Sequence, residues 1–206
     1  MPLSQSTIKY LSSLRQKKFR QSYHKFTVEG EKIVDELLAQ SAYRVDHVYA
    51  LPAWWEKRGL ATDEIAFRLQ SSQTDNKSNI DLGKLIDSTQ PLTGSIITEK
   101  ELGRISQLTS PNQVIAVVDL PDTVNALIPD LGTQWSIYLD GIQSPANLGA
   151  ILRVADWFGF QHVFGGPGTA DLYNSKSIQA TMGTFLRVTY REVSLSDVLA
   201  NQSDLP

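Results

Sequence analysis

The residues best suited to chemistry lie in one segment, Asp140-Gly-Ile-Gln-Ser-Pro-Ala-Asn-Leu-Gly-Ala-Ile-Leu-Arg153. An apolar strand, Trp135 to Asp140, leads into it, and in parallel α/β sheets ligands bind beyond the carboxyl ends of the strands. Ser144 is a fitting N-cap and Pro145 a fitting first helical residue, so a helix is expected over Pro145 to Phe158. Leu148, Ile151, Leu152, Ala155 and Phe158 form its apolar stripe, whereas Gly149 and Arg153 lie four apart on a different face. A glycine inside a helix costs about 1 kcal/mol relative to alanine, so Gly149 is expected to leave open space one turn from the guanidinium, where a substrate can approach the backbone. Spacing alone leaves a second reading open. Arg153 can pair with Asp156 at i+3 on a wet surface, an arrangement worth a few tenths of a kcal/mol, and Asn147 can be no more than a first-turn residue.

The elements that must position this segment alternate regularly. Strand Trp135 to Asp140, helix Pro145 to Phe158, strand Gln161 to Phe164, helix Ser175 to Met182, strand Leu186 to Tyr190 and helix Ser196 to Ala200 predict a parallel sheet with crossover helices. The first half is expected to begin with one amphipathic helix over Ile8 to Arg20. A strand at Phe26 to Gly30, a helix over Glu31 to Gln40, a strand at Val45 to Leu51 and a helix opening at Pro52 follow. Residues Phe26, Val28, Glu29 and Gly30 read as apolar strand and turn. From Gln70 to Gly94 the chain turns polar and loses periodicity, which predicts a loop or insertion. Thr98 with Glu101 three positions on forms a capping box for a helix over Glu99 to Gln107, and Gln113 to Asp119 (QVIAVVD) is a buried strand. Leu120 to Thr133, holding Pro121, Pro129 and Gly132, reads as an interdomain connection. The expected organisation is therefore a domain over 1–120, a linker over 121–134 and a second domain over 135–206.

With 206 residues, 41% of them apolar, the chain can bury two small cores. It has no cysteine, and His24, His47 and His162 lack ligand spacing, so neither a disulfide framework nor a structural metal is expected. No apolar run is long enough to span a bilayer and the N-terminus is polar, which predicts a cytoplasmic protein without a membrane partner. The net charge of −3 argues against a generic nucleic-acid coat, but the charges are unevenly placed. Lys9, Arg15, Lys17, Lys18, Arg20 and Lys25 fall within the first 28 residues, which hold no acidic residue. That run is either a solvated helix face or a phosphate-contacting surface. The turn Gly165-Gly-Pro-Gly168 breaks the spacing of a dinucleotide loop, and Pro167 removes an amide that would face phosphate.

The segment LDGIQSPANLGAILRVADWFGF resembles the first motif of the TrmH/SpoU family of RNA ribose 2′-O-methyltransferases, within the knotted SPOUT class. The likeness extends through YNSKSIQATMGTFLRV, with Lys176, Met182 and Gly183, and back to KYLSSLRQKKFRQSYHKFTVEGEKIVDELL, which is similar to the family's small RNA-binding domain. The resemblance implies an α/β chain: a ribosomal-protein-like α/β/α RNA-binding domain followed by a partial parallel-sheet SPOUT methyltransferase domain. It implies S-adenosylmethionine as cosubstrate, structured and mostly ribosomal RNA as partner, and a homodimer for the complete enzyme. Arg153 corresponds to the family's catalytic arginine and Asn147 to a residue that positions it and the RNA, while Lys17, Lys18, Arg20, Lys25 and Lys176 are assigned to RNA contacts. A guanidinium is protonated almost everywhere, so this role is to contact phosphate and stabilise a developing alkoxide rather than to act as a base.

The family's later motifs, a glycine- and glutamate-containing loop and a serine-leucine-asparagine stretch, are not found before Pro206. The cofactor-binding residues are thus expected to lie beyond it, and this polypeptide alone is expected to transfer methyl groups weakly or not at all. Two readings from other classes stand beside this one. One is a non-catalytic RNA-binding module on the same fold; the other is a small-molecule α/β enzyme carrying a chance arginine.

Overall fold

A computed structural model describes residues 2–39, 43–59, 93–122, 128–129, 131–132 and 134–202. The polar stretch expected as a loop falls almost wholly outside the described residues, as does part of the expected linker. The chain divides into two compact units, Met1–Leu120 and Pro121–Pro206. Each is an α/β structure.

The N-terminal unit is built on a four-stranded mixed sheet of order β1-β4-β2-β3, with β1 at Lys25–Glu29, β2 at Val45–Ala50, β3 at Gly94–Ile96 and β4 at Val114–Asp119. β4 runs antiparallel to both β1 and β2, and β3 joins β2 in parallel. Because β4 is central and covered on both faces, its sequence is apolar at successive positions rather than alternating. Ile115 and Val117 face one cluster with Ile8 and Leu11 of α1 (Gln5–Ser13), Leu14 directly after it, and Leu102 and Ile105 of α5 (Glu99–Ile105). On the opposite side α3 (Glu31–Leu38) packs on β1 and β4 through Val34 and Leu37, and α4 (Pro52–Glu56) contributes the fully buried Trp54 and Trp55. The capping box forms: Thr98 Oγ1 accepts from the Glu101 amide, and the Glu101 carboxylate accepts from the Thr98 amide at 2.8 Å.

Two local readings need correction. The single helix expected over Ile8 to Arg20 is two, α1 and α2 (Lys17–Tyr23), because the chain turns at Leu14 to Gln16. Arg20 supports the break: its Nη1 donates to the carbonyls of Leu14 and Arg15, both at 2.8 Å, so carbonyls left over at the helix end are satisfied by a charge-assisted donor. The three-residue strand β3 was hidden at the edge of the polar stretch. Glu29, read as structural, is indeed buried, accepting from Ser106 Oγ at 2.7 Å and the Gln107 amide at 2.6 Å. Burial raises its pKa, and those two hydrogen bonds oppose the rise.

The C-terminal unit has a parallel three-stranded sheet of order β5-β6-β7, with β5 at Ser136–Leu139, β6 at His162–Gly165 and β7 at Thr189–Glu192. α6 (Pro145–Trp157) and α7 (Ser175–Thr181) pack on each other. Leu131, Phe164 and Val198 of α8 (Leu195–Ala200) form a separate cluster with Tyr138. The strand expected from Leu186 instead starts at Thr189, and Thr184–Leu186 is a 3₁₀ turn that buries Phe185 and Leu186. A short apolar run does not discriminate between these outcomes by periodicity. No helix among the described residues is long and apolar enough to cross a membrane.

Candidate active site

α6 begins as its sequence requires. Ser144 is extended and its Oγ accepts from the Asn147 amide, and Pro145 occupies the first turn, where its missing N–H leaves nothing unpaired. Leu148, Leu152 and Ala155 are buried on one side, whereas Arg153, Val154, Trp157 and Phe158 face solvent. The stripe expected to include Phe158 therefore ends before it, and Ile151 is only partly buried.

Gly149 does not leave the open space expected of it. It is buried, and a Cβ at this position would lie 2.5 Å from the Ala180 carbonyl carbon and 2.8 Å from the Thr181 nitrogen. The glycine is what lets α6 cross the end of α7 at backbone contact. One turn further on, that closeness brings Arg153 Nη1 to within 3.0 Å of the Ala180 carbonyl, to which it donates. The last carbonyls of a helix carry partial negative charge, so a guanidinium is favoured there. The arrangement holds one arm of the fork and leaves the remainder exposed.

The alternative pairing of Arg153 with Asp156 does not form. Asp156 is held instead by Arg187, whose Nε lies 3.0 Å and Nη2 2.8 Å from the same carboxylate oxygen, with Nε also 3.1 Å from the other oxygen. Among the described residues no carboxylate lies within ion-pair range of Arg153. The neighbouring acid is thus kept off the guanidinium by a second arginine, which leaves Arg153 as a net cation in the site.

Asn147 is exposed in the first turn of α6. Six helical residues separate it from Arg153, about 9 Å along the axis and about 120° around it, so it does not hold Arg153 directly; Ala180 does. Lys176 is exposed at the start of α7, whose Asn174 N-cap accepts from its amide at 2.9 Å. At the other end Met182 takes a left-handed conformation (φ 52°) and exposes 73% of its surface. That conformation ends α7 directly after the Ala180 carbonyl. Neither the Ala180 carbonyl nor the Asp156–Arg187 pair was visible in the sequence, because both depend on contacts across some thirty residues.

The Gly165-Gly-Pro-Gly168 turn is explained by packing. A Cβ on Gly165 would collide with the Tyr190 hydroxyl and one on Gly166 with the Tyr138 hydroxyl. Tyr190 Oη is buried and has no hydrogen-bond partner among the described residues, and burial raises its pKa. The space beside Gly165 and Gly166 is thus filled by tyrosine, whereas Gly168 at the end of the turn has nothing within 4 Å of a Cβ position.

The basic residues of the N-terminal unit separate into two groups. Lys17 and Lys18 are exposed on α2, and Lys18 Nζ lies 4.8 Å above the Phe19 ring. Arg20, expected to contact RNA, is 3% exposed and serves the α1–α2 turn. Lys25, also expected to contact RNA, is ion-paired with Asp119 and, at 3.3 Å, with Asp46. Its partial burial alone would lower its pKa, but the two carboxylates outweigh that effect and hold it above the ordinary lysine value. These two cations are structural.

Residues 134–204 match the SpoU rRNA Methylase family and residues 5–116 the MRM3-like substrate binding domain. The chain is 26% identical over 182 residues to the 23S rRNA (guanosine(2553)-2′-O)-methyltransferase of Bacillus subtilis; the match covers 88% of this chain and 59% of that protein. The chain thus spans about three fifths of that relative's length. A Porphyromonas gingivalis structure, described as an RNA methyltransferase of the TrmH family, superposes with a TM-score of 0.73 at 32% identity, over 97% of this chain and 67% of that one. The SpoU methyltransferase AviRb of Streptomyces viridochromogenes, solved with AdoMet, shares the fold with a TM-score of 0.68 at 17% identity, over 96% of this chain and 66% of that one. With both halves of the chain matched, and with the Asn147-x-Gly149-x-x-x-Arg153 helix packed through its glycine, the chain belongs to the TrmH/SpoU family of rRNA methylases.

Proposed function

We propose that the chain is the RNA-gripping and arginine-bearing part of an enzyme that methylates a ribose 2′-hydroxyl of structured, ribosomal RNA. S-adenosylmethionine would supply the methyl group, in keeping with the cofactor named for AviRb. The N-terminal unit, residues 1–120, is read as the RNA-substrate domain and 135–206 as the methyltransferase part. The enzyme is read as homodimeric and, with a ribosomal substrate, cytoplasmic.

One observation carries this reading: Arg153 is anchored on the Ala180 carbonyl while its neighbouring acid is occupied by Arg187. A guanidinium so held presents N–H donors in fixed directions without reorganising during reaction. It can bind a phosphate oxygen beside the target nucleotide and stabilise negative charge as the 2′-oxygen loses its proton. It stays protonated throughout, so that proton passes to another acceptor. Asn147, on a different side of α6, is available to the RNA rather than to Arg153. Lys176 at the start of α7, and Lys17 and Lys18 on α2, supply phosphate contacts.

The test is incubation of the intact enzyme with methyl-labelled S-adenosylmethionine and ribosomal RNA, followed by digestion to nucleosides. Label in a 2′-O-methylated nucleoside is expected. Label only in a base, or none on any ribosomal substrate, refutes the proposal.

A further inference from the structure

α2 carries more than its lysines. Phe19 and Tyr23, four residues apart, lie on one side of this helix with rings nearly parallel, 16° between planes and 6.2 Å between centroids. Tyr10 of α1 meets Tyr23 edge-on at 5.1 Å and 79°. The Tyr23 ring is therefore fixed by two aromatic neighbours, yet 46% of its surface remains exposed. Fixing a large apolar ring while leaving it wet gains little for the fold. It does remove, in advance, the ordering cost of binding a flat partner.

The electrostatics around the ring fit a polyanion. Lys17 and Lys18 are exposed on the same short helix, and no acidic residue occurs before Glu29. The acids that act on Tyr10 from other elements, Asp46 and Asp119, are both paired with Lys25, and Arg44 lies 3.9 Å from Asp119, so two cations face the two carboxylates where phosphate would otherwise be repelled. A preordered aromatic face beside lysines is what nucleic-acid surfaces use to stack a base and hold its flanking phosphates.

We propose that Tyr23, braced by Phe19 and Tyr10, stacks on an unpaired base, so that the N-terminal unit selects RNA with an exposed loop or single-stranded nucleotide over a continuous duplex. This rests on the reading of the chain as an RNA-acting enzyme and adds the class of RNA element recognised. A bound base lies against the exposed Tyr23 face, with Lys17 and Lys18 taking the adjoining phosphates. A duplex, whose bases are already stacked, can use the lysines but not the ring.

The intact protein is titrated with a single-stranded RNA 12-mer carrying one 2-aminopurine and with a 12-base-pair RNA duplex. The single strand should bind more tightly, with 2-aminopurine fluorescence quenched on binding. Tyr23→Leu should weaken single-strand binding by roughly 5- to 150-fold and abolish the quench, leaving duplex binding and the salt slope unchanged. Tyr23→Phe, which keeps the ring, should bind like the parent. Lys17→Gln and Lys18→Gln should weaken both probes and flatten the salt slope. Unchanged affinity and quench in Tyr23→Leu, or equal losses on both probes, overturn the proposal, as does a parent protein that binds neither probe. Because methyl transfer is not read here, a stacking-dependent protein without transferase activity would refute only the proposed reaction. An active transferase insensitive to Tyr23→Leu would refute only the platform.

Discussion

Replacing Gly149 with alanine perturbs the candidate active site through a single methyl group. That methyl would sit 2.5 Å from the Ala180 carbonyl carbon and 2.8 Å from the Thr181 nitrogen. Non-bonded carbon contacts settle near 3.5–4.0 Å, so α6 and α7 must part by about 1 Å. The nearest atoms include backbone, which no rotamer change relieves. Overpacking of this kind costs about 1–3 kcal/mol, and the better helix propensity of alanine returns about 1 kcal/mol, for a net loss of up to about 2 kcal/mol. The same separation stretches the Arg153–Ala180 hydrogen bond from 3.0 Å to beyond bonding range, about 4 Å. Urea unfolding measures the loss in stability, and hydrogen exchange at the α7 amides localises it. Methyl transfer, assayed where the variant is fully folded, should fall at least tenfold, because the guanidinium loses its anchor. Adding Ala180→Gly should restore little, since the Ala180 carbonyl carbon and the Thr181 nitrogen remain in the way. A Gly149→Ala protein as stable and as active as the parent would refute the close-crossing argument.

The N-terminal unit yields two further tests. Lys17→Gln and Lys18→Gln should each reduce the salt slope of RNA binding by about 1 while changing stability by less than about 0.5 kcal/mol. Arg20→Ala should do the reverse, costing about 2–3 kcal/mol through its lost charged hydrogen bonds and leaving the salt slope intact; the two groups of cations are told apart by running both assays on each variant. His47 donates or accepts at Thr93 Oγ1 (2.9 Å) and Ser95 Oγ (2.8 Å), and burial lowers its pKa from 6.5 to about 4. The unfolded chain takes up this proton near pH 6.5 and the folded one only near pH 4. Stability from this group is therefore full above pH 6.5 and declines as the pH falls through that window, by up to about 3 kcal/mol. Urea midpoints between pH 7 and 4 should fall less steeply in His47→Gln than in the parent; equal slopes would remove His47 as the cause.

The features that could be read in the sequence are those set by neighbours within a turn. Ser144 and Pro145 start α6, Thr98 and Glu101 close a capping box, and the apolar run at β4 marks a strand buried on both faces. Alternating strands and helices in the second half likewise specify a parallel sheet. What could not be read depends on chain-distant contacts. Gly149 looked like an opening because α7, which fills it, is nearly thirty residues away. Arg20 and Lys25 are assigned to RNA by family resemblance, which carries residue types over without showing their partners in this fold, the Leu14 and Arg15 carbonyls and Asp119. Asp156 was matched to the nearest arginine on its own helix, whereas Arg187 provides a bidentate grip from 31 residues away. The Phe19–Tyr23 spacing was present in the sequence, but only the edge contact from Tyr10 marks that ring as held in place.

The role of Arg153 is tested most directly by comparing Arg153→Ala with the parent in the intact enzyme, measuring transfer of labelled methyl to ribosomal RNA and RNA affinity on the same preparations. Removing a positioned donor to a developing oxyanion lowers turnover by about 100- to 1,000-fold. RNA affinity should stay within about threefold, because one phosphate contact among several is lost. Arg153→Lys, which keeps the charge but not the fork, should recover only a small part of the turnover. Parent-like turnover in Arg153→Ala would contradict the assignment, as would a loss of turnover fully accounted for by lost RNA binding.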